Sequence, residues 1–396
     1  MRQSKILTLT GGLAAMSLVV AACVQAPASP AASSAAVVPE ASPTVTDPPT
    51  VSTQEFAPTA ASTEPIRFSV AATGDFLIHG PVYARALRNG GGRTYNFRPM
   101  FRYIRSYIRR ADLAICHFET PMAPGAPAGY PVFNTPKKLA KDARAIGWDM
   151  CDTASNHTVD KGQRGVNSTL KAIRSAGIVS HGSARKSSRY DIPMVEVQGV
   201  KVALLSYTES TNGIPLPHSW SVNLLDTTRI KSDAARAKAA GAKVVIVNMH
   251  AGTEYQHAPS ARQRQVARIL TASPDIDAII GQHVHVVQPI KWKHGKPIVY
   301  GEGNLISNQT GACCPAASMD GILAQLYFVV DGDDVSVERV KYVPVTVRRP
   351  DYAVIPIGKG LRKGLMNSST LRASYGRTVS VIGKTARVRP QPAKAG

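Results

Sequence analysis

From residue 66 onward the chain alternates between short β-like runs and stretches whose apolar residues recur at helical spacing. "IRFSVAATGD" predicts a strand, and "PVYARALRNG" a helix after it. "MFRYIRSYIRR" carries its aromatics and isoleucines at the spacing of a second helix. There follow "DLAICHFE" (strand), "KKLAKDARAIG" (helix), "WDMCDTASN" (strand) and "RGVNSTLKAIRSAG" (helix). "IPMVEVQ" and "VALLSYT" meet around Gly199 and predict a hairpin. A helix near 229–240 precedes "KVVIVNMH", and another near 259–272 precedes "IDAIIGQ". "PIVYGEGN" and "LAQLYFVV" supply the last strands. Alternation of this kind predicts βαβ units and buried sheets. The later strands, with little helix between them, predict a second, more antiparallel sheet packed on the first.

The first 65 residues have a different character. Arg2 and Lys5 precede an apolar stretch that ends in Val20-Ala21-Ala22-Cys23. That is the form of a secretory signal peptide over 1–22, with a lipobox whose Cys23 would be lipidated. Residues 23–65 form a Pro/Ala/Ser/Thr-rich tether, too poor in apolar surface to fold. A folded domain is expected over 66–350, and a basic segment over 351–396. The protein is therefore expected outside the cytoplasm, held to the cell membrane by lipid. No later run is long and apolar enough for a spanning helix.

Charge sharpens this picture. The net charge is +21, and nine Lys or Arg with no acid fill the chain from Lys359 on. Such a surface attracts polyanions. Outside the cytoplasm nucleic acid is excluded as the partner, and anionic lipid, wall phosphate or a polycarboxylate fits. The placement of 359–396 stays open between a helix on the sheet, a membrane-facing arm and disorder. Of the remaining cysteines, Cys116 and Cys151 lie in two strand-like runs, as buried neighbours or as a bridge. Cys313 and Cys314 are adjacent and are not expected to bridge each other. No CxxC pair exists, so a zinc-thiolate site is not indicated.

Polar residues collect at the strand ends: Asp75 in "TGDFLIH", Glu119 in "CHFET", Asn156 and His157 in "SNHTVDKG", His250 in "NMHAGTEY", and His283 and His285 in "GQHVHV". In open α/β sheets ligands gather beyond the carboxyl ends of strands, so these segments should share one rim. In extended geometry His283 and His285 point the same way and can serve two cations of one pair. Glu119 can bridge two cations, and imidazoles with the Asn156 amide complete sites suited to Zn, Mn or Fe. His157 is placed to protonate a leaving group. His117 is assigned to the opposite face of the Glu119 strand and to packing. His181, His218 and His294 are read as structural, and His257 as lining the rim.

In order and rough spacing, "GDFLIHG", "CHFET", "SNHTVDKGQRG", "HAGTEY", "GQHVHVVQP" and "YGEGNLI" resemble the CapA-type poly-gamma-glutamate capsule biosynthesis proteins over about residues 66–310. That family resembles the calcineurin-like metallophosphoesterases. The resemblance implies an α/β fold, a four-layer αββα sandwich with a dinuclear site for two divalent metal ions. By position it implies Asp75, Glu119, Asn156, His250, His283 and His285 as metal ligands and His157 as the catalytic histidine. His79, Glu254, Tyr255 and Asn304 are additional candidates. The chain departs from the superfamily in two places. Leu77 stands where a histidine follows the first aspartate, and Glu119 stands where the bridging residue is an aspartate.

The implied role is making, exporting or retaining a glutamate-based capsule or wall polymer, alongside a membrane-embedded polymer synthase. Three forms of that role follow from the residues: a metal-dependent hydrolase or transferase, a non-catalytic polymer-binding or export subunit, and a plain phosphoesterase.

Overall fold

The computed structural model describes residues 64–187 and 192–394. Cys23, the signal peptide and nearly all of the tether lie outside these residues.

Two sheets stack face to face. The first runs β14 (Ala353–Pro356), β13 (Asp334–Arg348), β12 (Asp320–Asp331), β1 (Ile66–Phe76), β2 (Leu113–His117), β3 (Met150–Asp152) and β4 (Val179–His181). β11 (Asn304–Ile306) pairs with β1, and β15 (Val388–Pro390) with β13. The second runs β5 (Met194–Val197), β6 (Val200–Thr208), β7 (Val244–His250), β8 (Ala278–Gln282), β10 (Lys296–Val299) and β9 (Ile290–Lys293).

The period-2 alternation of strands explains the layering. In β1, Phe68, Val70 and Ala72 face the second sheet, where they meet Val202, Leu204, Val244 and Ile246. In β6 the intervening Ala203, Leu205 and Tyr207 face outward, against α5 (Thr227–Ala239) and α6 (Ala261–Thr271). On the far side of the first sheet, Phe76 and Cys116 pack under α1 (Gly80–Asn89), α2 (Arg105–Arg110), α3 (Lys138–Ile146) and α4 (Gly162–Ser175). Both faces of both sheets are therefore covered, which is the αββα sandwich. Trp148 anchors the outer layer, edge-on to Phe76 and Phe101 with ring centroids 5.1 and 5.2 Å away. Buried side chains of this size contribute about 1.5–3 kcal/mol each.

Several expectations need correcting. The late strands β12–β14 do not build the second sheet. They extend the first one beside β1, antiparallel to it and to each other. The second sheet is made by β5–β10 and is parallel except at its two edges, β5 and β9. "MFRYIRSYIRR" is not one helix but a 3₁₀ turn, Arg98–Phe101, followed by the six-residue α2. "PIVYGEGN" is not one strand either. β10 lies in the second sheet and β11 in the first, so residues 300–303 carry the chain between the sheets. At that crossover Gly74 is required, because a Cβ there would lie 1.8 Å from the Gly303 carbonyl oxygen.

The basic C-terminal stretch folds onto the first sheet. β14 pairs with β13, and α7 (Ile357–Lys363) and α8 (Ser368–Ile382) share a cluster with Ala353 and Ile355. No helix of the described residues is long and apolar enough to cross a membrane.

Candidate metal centre

The carboxyl ends of β1, β2, β3, β7 and β8 converge between the two sheets. Parallel register does much of this: Asp75 pairs with His117 across β1 and β2, and His117 with Asp152 across β2 and β3. Two trios of potential ligands result, Asp75 with His117 and His250, and Asp75 with Glu119 and His285. Within each trio one ligand atom per residue lies within 4.8 Å of the others. The shared carboxylate is Asp75. All five side chains are buried, Asp75 and Glu119 completely.

Bonding around these groups is incomplete. Asp75 Oδ2 lies 3.1 Å from His285 Nδ1, which also lies 3.1 Å from Asn304 Oδ1. His285 Nε2 is 3.6 Å from Glu119 Oε1. Neither Glu119 oxygen has a hydrogen-bond partner, nor do His117 Nε2, His250 Nδ1 and His283 Nδ1. Unpaired buried polar atoms are costly, and here the unpaired acceptors converge on one place. Asp75, Glu119, Asp152 and Glu302 are wholly buried, and among the described residues no lysine or arginine forms an ion pair with any of them. The ion-pair partners of Asp75, Glu119 and Asp152 among the described residues are His117 and His285, whose protons a cation can replace, and mixed N/O donors suit divalent transition metals.

Protonation follows the same logic. Burial, then the charge of Asp75, pushes the Glu119 carboxyl up to about 7. Burial holds His250 well below the usual imidazole range and brings His283 down to about 4, so both are neutral donors near pH 7. For His285 burial is outweighed by Glu119 and Asp75, which raise it to about 9.

Asn156 belongs to the same rim. Its Oδ1 lies 2.9 Å from His250 Nε2, and its Nδ2 donates to Asn212. His157 sits beside it with Nδ1 2.8 Å from Asp160 Oδ2, and its ring packs edge-on to Phe133. Asp160 also accepts from the Phe133 amide, so its carboxylate fixes both the ring and the loop beneath it.

His283 and His285 do reach the site, but not as successive residues of a strand. β8 ends at Gln282, and both histidines have positive φ, 91° and 57°. A turn separates their rings by 6.3 Å. The His283 amide lies 3.4 Å from Asp75 Oδ1.

The other candidates are peripheral. The Tyr255 ring is 6.1 Å from that of His285, and its hydroxyl accepts from Gln309, which in turn accepts from Asn304. Glu254 is exposed and joins neither trio. His79 contacts the backbone of Leu77 and Asn308, and its ring packs on Phe133. His257 bonds to the Val287 carbonyl. His181, His218 and His294 bond to Ser206, stack on Trp220 and bond to Thr271, respectively.

The expected placement of His117 on the opposite face is corrected, since it pairs in register with Asp75 and belongs to the first trio. Positions 117 and 119 are two apart and share a face, and that spacing was the available signal. Asp152 was also missed. It ends an apolar run, as Asp75 does, and accepts from His117 Nδ1, Ser206 and Asn248.

Residues 69–309 match the model of the bacterial capsule synthesis protein family, PGA_cap. The chain belongs to that family. Among the curated members of the capsule synthesis group, the PGA biosynthesis protein CapA of Bacillus subtilis is 29% identical over 53% of this chain and 57% of its own. The Bacillus anthracis capsule biosynthesis protein CapA is 28% identical over 53% and 54%. A probable polyglutamine synthesis accessory protein of Mycobacterium tuberculosis is 27% identical over 41% and 46%. The chain thus spans about half the length of the curated relatives it matches. Among solved structures, a 5'-nucleotidase precursor from Thermus thermophilus is 13% identical with a TM-score of 0.46, over 80% of this chain and 59% of that one. The calcineurin-like phosphoesterase YfkN from Bacillus subtilis is 15% identical with a TM-score of 0.43, over 79% and 100%. At these scores the likeness carries no functional weight.

Beneath the centre, Glu302 occupies the crossover between the sheets. Gln282 donates to its Oε2 at 2.9 Å, and Oε1 has no partner. Burial pushes its carboxyl from 4.5 up to about 8. A raised carboxyl stabilises the fold fully below the unfolded value and loses that contribution as pH rises through the folded one. Glu302→Gln is therefore expected to resist alkaline destabilisation. Melting of the metal-free chain at pH 6 and pH 9 should show a smaller drop for the variant, on the order of 3 kcal/mol less by pH 9. Equal drops would refute the buried-acid assignment.

Proposed function

We propose that this protein acts in the biosynthesis, export or retention of a glutamate-based capsule or wall polymer, through a dinuclear metal-dependent hydrolase or transferase site. The observation that carries the reading is two ligand trios joined by Asp75, with an oriented histidine at the same rim, in a chain of the capsule synthesis family.

When bound, divalent cations supply Lewis acidity and an activated water. The chain's own residues do the rest. Asp75, Glu119, His250 and His285 would hold the cations, with Asn156 and His283 at the edge. Asp160 holds His157 Nδ1, which leaves Nε2 to pass a proton to the departing group. The buried walls exclude bulk water and strengthen every charge interaction inside.

The anionic polymer is the proposed substrate or cargo, drawn by the +21 charge. A lipid anchor at Cys23 would keep the protein in the envelope beside a membrane-embedded synthase. A second reading, a polymer-binding subunit without catalysis, is favoured by Leu77, which cannot ligate.

Metal analysis of the purified chain separates them. About two divalent ions per chain are expected, with turnover of an aryl phosphate that disappears in His250→Ala. A chain that binds no metal after reconstitution, yet retains polyglutamate in a salt-sensitive manner, would replace the enzymatic reading with the binding one.

A further inference from the structure

We propose that His117 supplies the imidazole missing at position 77, as an Nε2 donor to the cation position bounded by Asp75 and His250. The inference rests on the metal-dependent reading above.

The place beside the first aspartate is filled by Leu77, a buried apolar side chain. His79 does not substitute. Its ring is turned to Phe133 and the 308 backbone, and neither trio includes it. The neighbouring strand provides the replacement. His117 is the register partner of Asp75 across β1 and β2, so its ring starts from the adjacent backbone and the same inner face.

Three features make it a ligand in waiting. Its Nδ1 is held 2.5 Å from Asp152 Oδ1, and that oxygen also accepts from Ser206 Oγ and Asn248 Nδ2 at 3.0 and 2.8 Å. A carboxylate on one ring nitrogen fixes the tautomer, places the lone pair on the other and raises its basicity. The ring stacks on His250, centroids 4.7 Å apart. Its Nε2 is fully buried, has no hydrogen-bond partner and faces Asp75 Oδ1 at 3.8 Å. Between the Asp152 and Asp75 carboxylates the ring holds a proton when no cation is bound, and metal binding displaces such a proton to free the Nε2 lone pair. A cation shared by His117, Asp75 and His250 joins all three.

Asp152 then acts as a positioning residue. It touches no cation in this scheme and works through the orientation of His117. Ser206 and Asn248, from the second sheet, hold Asp152 in turn. The site therefore draws support from both sheets.

The test is metal binding by the full chain, read as ion content, as titrated affinity and as the visible spectrum with Co²⁺. His117→Gln is expected to lose one of two cations, or to bind it at least about 100-fold more weakly, and to retain the other. Asp152→Asn should weaken the same cation by about 10- to 100-fold. Both should shift the Co²⁺ bands, which a packing role would leave unchanged. If His117→Gln does not fold, Asp152→Asn decides alone. Wild-type affinity for both cations in the variants overturns the proposal, as does equal loss of both. A wild-type chain that binds no metal removes the metal reading and this inference together. Two cations in wild type and two in the variants removes only the inference.

Discussion

Asp75→Asn is expected to empty the centre of both cations. No other single substitution should do this, because Asp75 is the one residue common to the two trios. Its carboxylate lies 3.1 Å from His285 Nδ1 and 3.8 Å from His117 Nε2, so it stands between the groups that close each cation position. Asparagine keeps the shape and one acceptor oxygen but removes the charge. In a buried site a missing charge is not replaced by solvent, and partners left uncompensated cost several kcal/mol. Ion content should fall from about two per chain to near zero, with affinity for each cation down by at least about 100-fold. Glu338→Gln, on the exposed end of β13, is the matched control and should retain both ions. Retention of both ions by Asp75→Asn would mean that the trios are not the binding centre.

Removal of the Cys116–Cys151 bridge should cost about 4 kcal/mol, the entropy of closing a loop of this length in the unfolded chain. The two cysteines are register partners on β2 and β3, 35 positions apart in sequence, and both are wholly buried under the outer helices. The bridge also ties together the two strands that deliver His117 and Glu119 on one side and Asp152 and the Asn156–His157 loop on the other. A double alanine variant should therefore unfold at markedly lower denaturant and show weakened metal affinity before it unfolds. Calorimetry or urea titration of the oxidised chain against the variant measures the first effect. A difference under about 1 kcal/mol would contradict the loop-closure account. Cys313 and Cys314 remain free and take no part.

The sequence was most legible where a single rule governs. The strands of the βαβ portion read correctly because their apolar runs are buried on both faces and stand out from the amphipathic helices beside them. The rim residues read correctly because each follows such a run. The topology of the late strands did not, because an antiparallel pair carries no local mark of the sheet it will join. β13 runs from Asp334 to Arg348 with a bulge at Glu338, and its partners are its sequence neighbours β12 and β14 and also β15, some fifty residues on. The break between β10 and β11 was hidden for a related reason. Gly301 and Gly303 flank Glu302 and let the backbone pass between layers, which a linear reading takes for one strand.

By itself the amino-acid sequence determined the layered α/β character, most of the polar residues that gather at the strand ends, and the family. These follow from periodicity and residue chemistry, which are local. Only the tertiary structure decided that Asp75, rather than Glu119, is the carboxylate common to both trios. It alone joined His117 to Asp152, and showed that four carboxylates are buried together with no lysine or arginine paired to them among the described residues. Register between strands and packing between sheets set those distances, and both arise from contacts between residues far apart in the chain.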